Sequence, residues 1–509
     1  MFLTRLAGLR GWRADLAAAG FGALAAAALP PAHVVPVLLL CVPALLALID
    51  GSRSWAVALR RGFWFGFGNF VAGLYWITEA ILVEAARYWW LVPLAVPALS
   101  ALLALFVAVP CALCRLAEPG WRRVGLLAGA WVLADLARQF IATGFPWNPW
   151  GSVWAMPGAW GDVFIQPAAW VGVHGMTLGT LLLAATPALG WPAMLGGALA
   201  LAAWGGFGLH RLDLPAPKPQ EVSVVLVQGN VPQGDKWDRD AAHGVFERYL
   251  ALTRQGVAQA QAVAPGAAIA VVWPESASPY LLGQDPGARA AIWQAAQPAR
   301  AAIVGSVRFN AAGHPLNSLF ALDGESSVAG IYDKWHLVPF GEFAPGWVPF
   351  AVQMVPGGSF AFGAGPKTIH VAGLPAFGGL ICYEAIYPAQ LVDEADRPSW
   401  LVNITNDAWF GNSSGPRQHL AAARLRAVEE GMPLVRAANT GITGAFDARG
   451  REVARLPMNV PGEVAVALPG PDAPTPFSRQ GLVIPALLAL ATCVAALRLM
   501  GKREATRLH

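Results

Sequence analysis

Three side chains able to do joint chemistry stand far apart in the second half of this 509-residue chain. Glu275 lies in Val-Trp-Pro-Glu-Ser, Lys334 in Tyr-Asp-Lys-Trp-His-Leu-Val-Pro-Phe-Gly-Glu, and Cys382 in Leu-Ile-Cys-Tyr-Glu. Brought together, a carboxylate, an ammonium and a thiol can run acyl transfer through a thioester. The sulfur attacks a carbonyl, the acid carries protons, and the ammonium faces the developing oxyanion. Free cysteine has a pKa of about 8.5, and a nearby cation lowers it; Lys334 is the expected source of that charge. Glu342 is expected to keep Lys334 charged and oriented. Tyr383 and Glu384, directly after the thiol, are expected to position it or the substrate.

Each of the three groups follows a short apolar run rich in β-branched residues. Such runs predict strands at Val222–Val227, Ala268–Trp273, Ala302–Val307, Ser318–Leu322, Ser327–Tyr332, Ala376–Ile381, Trp400–Ile404, Leu434–Ala437 and Glu463–Ala467. Helices are predicted over Ala241–Val263, Gly287–Ala299 and Arg417–Glu430. Alternating strands and helices argue for an α/β layered domain at 220–470. Functional groups in such sheets gather at the carboxyl ends of strands. Taken singly, Glu275 reads as a solvated acid, Lys334 as the partner of Asp333, and Cys382 as a small buried hydrophobe. Their shared placement, with irregular flanks at Val338–Glu342 and Asn406–Gly411, argues for a site.

The rest of the chain is different material. Hydrophobic residues make up 56% and charged residues 13%, against about 45–50% and about 25% in ordinary soluble proteins. Apolar runs at Leu16–Leu29, Val34–Ile49, Gly62–Thr78, Tyr88–Cys114 and Val124–Ile141 read as membrane spans. Val163–Gly208 holds two more, with a break near Gly190-Trp191-Pro192. Residues 1–212 are therefore expected to form a membrane domain of seven helices. Residues 479–509 add an eighth, Gly481–Leu497, and a basic tail. Basic residues set the orientation. Arg5 to Arg13, Arg53 to Arg61, Arg115 to Arg123 and the tail share one side, whereas Arg87, Arg138, Arg211 and Lys218 are scattered on the other. A cytoplasmic N-terminus puts the α/β domain outside the cytoplasm. The small net charge of +4 gives no case for nucleic acid.

Four of the five cysteines, Cys41, Cys111, Cys114 and Cys493, sit in apolar runs, which argues against a disulfide framework. Cys111-x-x-Cys114 reads as helix packing, and Gly62-x-x-x-Gly66 as a close helix contact. His336, His370 and His419 lack metal-ligand spacing, so no metal is expected; His336 is a weaker partner for Cys382 than Glu275 and Lys334. From Phe343 to Pro366 no residue is charged, and Pro and Gly break any helix. This greasy stretch, with Trp347 and Phe350, predicts a lid at the bilayer surface. Trp237 is a candidate contact for an acyl chain or headgroup.

These segments resemble the nitrilase superfamily and, within it, the bacterial apolipoprotein N-acyltransferases. The matching pieces are Gln228-Gly-Asn-Val-Pro-Gln233 with Lys236-Trp237, Trp273-Pro-Glu275, and Lys334-x-x-Leu-Val-Pro-Phe-Gly-Glu342. Cys382-Tyr-Glu384, Asn406-Asp-Ala-Trp-Phe-Gly411, Gln418-His419 and Arg436-Ala-Ala-Asn-Thr-Gly441 continue the match, with Phe145-Pro-Trp147-Asn-Pro-Trp150 in the membrane half. The resemblance implies an α-β-β-α sandwich beside a multi-pass α-helical membrane domain of seven plus one spans. It also implies a Glu275–Lys334–Cys382 triad that needs no cofactor. The implied donor is a membrane phospholipid and the acceptor the N-terminal amine of a diacylglyceryl-cysteine lipoprotein. The implied setting is the bacterial inner membrane with a periplasmic catalytic domain, and the chain is expected to act as a monomer. Two other readings stay open: an amidase using water as acceptor, and a transporter or receptor whose outer domain only binds ligand.

Overall fold

The computed structural model describes residues 2–83, 85–237, 239–324, 326–346 and 359–498. These form two compact units: residues up to Leu214 together with those from Pro476 on, and Pro215–Thr475.

The first unit is helical. Each apolar run read from the sequence overlaps a helix: Gly11–Ala25, Leu38–Asp50, Trp55–Gly73, Val92–Leu113, Trp121–Arg138, Ala168–Ala184, Trp191–Asp213 and Val483–Arg498. The expected break falls at Gly190, whose φ of +93° caps the helix from Trp191. Among the described residues, two helices are long and apolar enough to cross a membrane, Ala85–Leu116 and Trp191–Asp213. Val35–Asp50, Ala168–Ala184 and Val483–Leu497 are apolar but shorter. Trp55–Gly73 and Trp121–Arg138 carry arginines, so fewer helices meet the spanning criterion than the eight expected. Those arginines are partnered. Arg61 pairs with Asp15 and Arg123 with Asp50. Arg138 pairs with Asp135 at 2.9 Å and donates to the carbonyls of Phe145 and Trp147, both at 2.8 Å. Asp135 thus anchors the Phe145–Trp150 segment through Arg138.

Small residues let these helices touch. A Cβ on Gly62 would lie 2.6 Å from the Cβ of Cys111, and one on Gly66 2.9 Å from that of Val107, so the Gly62-x-x-x-Gly66 face lies against Val92–Leu113. Cys111 is a free, buried packing residue there.

The second unit is a sandwich. One sheet has the order β12-β1-β2-β3-β4-β5. Its strands are β1 (Val222–Gln228), β2 (Ala268–Val272), β3 (Ala301–Phe309), β4 (Pro315–Asp323), β5 (Ser327–Asp333) and β12 (Gly462–Ala467). The other has the order β11-β10-β9-β8-β7-β6. It contains β6 (Thr368–Ile369), β7 (Phe377–Ile381), β8 (Trp400–Thr405), β9 (Leu434–Ala438), β10 (Thr443–Phe446) and β11 (Glu452–Leu456). Period-two alternation sorts side chains to opposite faces. Val222, Val224 and Leu226 meet Phe377, Ile381, Val402 and Ile404 between the sheets. Val225 and Val227 instead face helices Arg239–Val263 and Pro286–Ala296. Leu380, Leu401 and Leu434 face helix Gly415–Glu430 on the far side. The layers are therefore α-β-β-α.

Topology aligns the strand ends. β1, β2 and β3 run parallel, while β4 is antiparallel to both β3 and β5. The carboxyl ends of β2 and β5 thus share one edge with the amino end of β4. In the second sheet β7, β8 and β9 are parallel, so their carboxyl ends also share an edge.

One pair of substitutions tests the helix packing. A Cβ on Gly22 would lie 1.9 Å from the Phe65 carbonyl, whereas Gly20 has nothing within 4 Å. Gly22→Ala is expected to cost about 1–3 kcal/mol through overpacking and to lower the thermal midpoint in detergent. Gly20→Ala should leave it unchanged or raised; equal midpoints for the two variants would contradict this packing.

Candidate active site

Glu275, Lys334 and Cys382 each emerge just past a strand end, after β2, β5 and β7. The structure brings them together. Lys334 Nζ donates to Glu275 Oε1 at 3.2 Å and to Glu342 Oε1 at 2.9 Å. The buried Cys382 thiol lies within the electrostatic influence of both Glu275 and Lys334. Lys334 is 1% exposed, Cys382 6% and Glu275 7%, so bulk water screens none of them.

Two residues not singled out as site residues in the sequence complete the cluster. Asn317, in β4, donates from Nδ2 to Glu275 Oε1 at 2.7 Å and to Glu342 Oε1 at 3.0 Å. Lys236 Nζ donates to the Glu275 carbonyl at 2.8 Å. Only its place beside Trp237 in a recognisable segment pointed to Lys236. Asn317 sits inside an ordinary apolar strand and gave no signal. Glu342 Oε2 also accepts from the Val338 N–H at 2.8 Å, so the irregular Val338–Glu342 loop folds back on its own carboxylate.

Electrostatics assign the resting protonation states. Burial would lower the Lys334 pKa, but Glu275 and Glu342 outweigh it and hold the ammonium well above its usual range. Burial would raise Glu275, but Lys334 and then Lys236 outweigh it, so the carboxylate titrates below its ordinary value. Burial drops Lys236 to about 8 despite the pull of Glu275. The thiol departs from expectation. Burial and then Glu275 push Cys382 up to about 12, and Lys334 opposes them without prevailing. The pull of Lys334 does not offset the burial of the sulfur and the nearby Glu275 carboxylate. These shifts favour a protonated thiol beside an ionised carboxylate.

Cys382 has φ +51°, in the left-handed region, and opens the short 3₁₀ turn Cys382–Ile386. A non-glycine residue there is uncommon and costs about 1–3 kcal/mol, so its surroundings must hold it. Glu384 is one clamp. Its carboxylate accepts from Ile381 N at 2.6 Å, Tyr332 Oη at 2.7 Å, Trp335 N at 2.8 Å and His336 N at 3.2 Å. It ties the turn carrying the thiol to the loop carrying Lys334. Burial pushes its pKa up to about 7 against those donors. Tyr383 is buried with its ring edge-on to Tyr387 at 5.4 Å. His336 bonds to Gln390 at 2.7 Å and stacks on Tyr387. Burial lowers it to about 4, so it is a neutral side chain in this loop.

Helix-facing loops of the second sheet close the back of the turn. His419 Nε2 lies 2.9 Å from the Cys382 carbonyl oxygen, and Asp407 and Arg436 surround its Nδ1. Of the uncharged stretch Phe343–Pro366, the described ends are fixed at the site. Phe360 N donates to the Glu342 carbonyl and Gly363 N to the Lys334 carbonyl, both at 2.8 Å. Trp347, Phe350 and the Trp237 side chain lie outside the described residues.

The cluster predicts a pH response. Because Glu275 titrates below its ordinary value, its stabilising effect is full above that value and is lost as pH falls through the lower folded one. Asn317 bonds favour the charged form. Asn317→Leu should raise the Glu275 pKa, move the acid limb of Cys382 acylation to higher pH, and cost about 1–3 kcal/mol of stability. An unmoved acid limb in a folded variant would contradict the role given to Asn317.

Known proteins share this chain's make-up from end to end. Residues 21–186 match the family model for the apolipoprotein N-acyltransferase N-terminal domain, and residues 224–468 match the carbon-nitrogen hydrolase model. The apolipoprotein N-acyltransferase of Rhodopseudomonas palustris is 38% identical over 522 residues, covering 96% of each chain. That of Allorhizobium ampelinum is 39% identical over 483 residues, covering 89% of each. That of Bradyrhizobium diazoefficiens is 38% identical over 523 residues, covering 97% of this chain and 96% of the relative. Near-complete coverage at this identity, over both the helical unit and the sandwich, makes the chain a member of the apolipoprotein N-acyltransferase family.

Proposed function

We propose that this protein is a phospholipid:apolipoprotein N-acyltransferase working through a thioester on Cys382. The observation that carries the reading is the buried Glu275–Lys334–Glu342 cluster, with the buried Cys382 in the same site, in a chain of this family. Glu275 takes the Cys382 proton as the sulfur attacks the ester carbonyl of a membrane phospholipid. The C–O bond breaks, Glu275 returns the proton to the departing lysophospholipid oxygen, and the acyl group stays on sulfur. The N-terminal α-amine of a diacylglyceryl-cysteine lipoprotein then attacks the thioester and gives its proton to Glu275. The C–S bond breaks, leaving an amide, and the thiolate recovers the proton.

Lys334 has three donors. Two are engaged by Glu275 and Glu342, and the third is assigned to the oxyanion of each tetrahedral intermediate. Glu342 keeps the ammonium charged and oriented. All of these groups come from one chain, which favours a monomer. The basic-residue asymmetry favours eight crossings of the bacterial inner membrane with the sandwich on the periplasmic side. Exposed Trp191, Leu195, Leu199 and Leu209 on helix Trp191–Asp213 suit contact with lipid.

The experiment is to incubate the purified protein with phospholipid alone and digest it for mass spectrometry. A fatty acyl adduct on Cys382 is expected, and adding a diacylglyceryl-cysteine peptide should discharge it as amide. Release of free fatty acid instead would favour an amidase-like hydrolase. Glu275→Gln should slow adduct formation by roughly 10²–10⁴-fold. No adduct on Cys382 in the wild-type protein would overturn the reading.

A further inference from the structure

The turn that aims the thiol needs a lock, and the second sheet supplies one. The carboxyl ends of β7, β8 and β9 carry Cys382, Asp407 and Asn439, and helix Gly415–Glu430 brings His419 beneath them. His419 and Arg436 have no exposed surface and Asp407 has 1%. A carbonyl oxygen only accepts, so the His419 nitrogen 2.9 Å from the Cys382 oxygen, Nε2, carries the hydrogen. Arg436 donates to Asp407 Oδ2 at 2.7 Å and reaches His419 Nδ1 at 3.1 Å. Asp407 Oδ1 lies 2.9 Å from Nδ1; burial and then Arg436 lower the imidazole pKa, while Asp407 and the Cys382 carbonyl, both acceptors from the ring, raise it. Arg436 is itself held by Asn403 Oδ1 at 2.5 Å and by the Ile442 carbonyl at 3.3 Å. Thr405 donates to Asp407 Oδ1 at 3.3 Å.

We propose that His419 is a positioning residue for acyl transfer: its Nε2–H pins the peptide after Cys382 and so locks the left-handed turn that points the sulfur at Glu275 and Lys334. Asp407 and Arg436 hold the ring through Nδ1, and neither touches the reacting atoms. The inference rests on the acyl-transfer reading of Cys382. It adds a fixed support behind the nucleophile, supplied by helix Gly415–Glu430 and the second sheet rather than by the sheet that carries Glu275, Asn317 and Lys334. A misplacement of about 1 Å far from the chemistry can cost about 10²-fold in rate.

His419→Gln keeps an N–H able to reach the carbonyl, whereas His419→Met has similar bulk and no donor. Both full-length variants are purified in detergent and checked for a cooperative thermal transition. Acyl-enzyme formation on Cys382 is then timed with phospholipid. The Met variant is expected to lose about 10²-fold in kcat with KM for the lipid little changed, and the Gln variant to stay within about threefold of wild type. A folded Met variant with wild-type kcat, or a folded Gln variant as slow as Met, would overturn the proposal. If the Met variant does not fold, the Gln variant decides alone: near-normal acylation supports the lock and its loss overturns it. Wild-type protein that forms no acyl adduct would instead refute the underlying acyl-transfer reading.

Discussion

One buried ammonium, Lys334, shared between Glu275 and Glu342 is the interaction on which the rest of this site depends. Taking either charge out of water costs several kcal/mol. A unit pair about 4 Å apart gains about 4 kcal/mol at an effective dielectric near 20, so neither side is stable buried alone. Two carboxylates need more than one cation, and Lys236 supplies the second from the other side of Glu275. Asn317 and the Val338 N–H satisfy remaining acceptor sites. The result is a closed, nearly neutral cluster with an ionised base inside it. Burial and then Glu275 keep the neighbouring sulfur protonated, and Lys334 opposes them without prevailing. In the proposed cycle Cys382 is the nucleophile and Glu275 the base, and charge appears only when a carbonyl is attacked.

The sandwich explains how residues far apart in sequence meet. One sheet delivers Glu275, Asn317 and Lys334 to a single edge because β4 runs against β3 and β5. The other delivers Cys382 from a parallel strand. Glu384 joins the two sheets by accepting from the Lys334 loop and from the residue before the thiol. His419 supports the turn from behind. The strained backbone at Cys382 is therefore held on both sides, by an acceptor that gathers N–H groups and by a donor that engages a carbonyl.

Much of this was legible in the sequence, and what was missed has physical causes. Strands with strong alternation or β-branched runs stood out, from Val222 to Glu463. Thr368–Ile369 is too short to show a period, and Thr443–Phe446 and Glu452–Leu456 are glycine-broken or polar edge material. Glu275, Lys334, Cys382 and Glu342 announced themselves by chemistry at strand ends. Asn317 did not, because a lone amide inside an apolar strand looks like any other buried polar residue. His419 was weighed only as a metal ligand, a role its spacing denied; its hydrogen bond to a backbone carbonyl leaves no mark in a sequence. Lys334 does lower the thiol as expected, but burial and then Glu275 outweigh it; how deeply the sulfur is buried does not show in a sequence. In the helical unit, charge on Trp55–Gly73 and Trp121–Arg138 blurred the spanning signal, and the structure shows those charges paired.

The central claim is that the resting site holds a protonated sulfur beside an ionised carboxylate. The most direct measurement is the ultraviolet thiolate absorbance of the full-length protein, titrated upward in pH and differenced against Cys382→Ser. The account predicts no thiolate signal from Cys382 through neutral pH, and its emergence only in strongly alkaline solution. A full thiolate signal at pH 7 would contradict it, because Lys334 would then be pairing with sulfur rather than with Glu275 and Glu342.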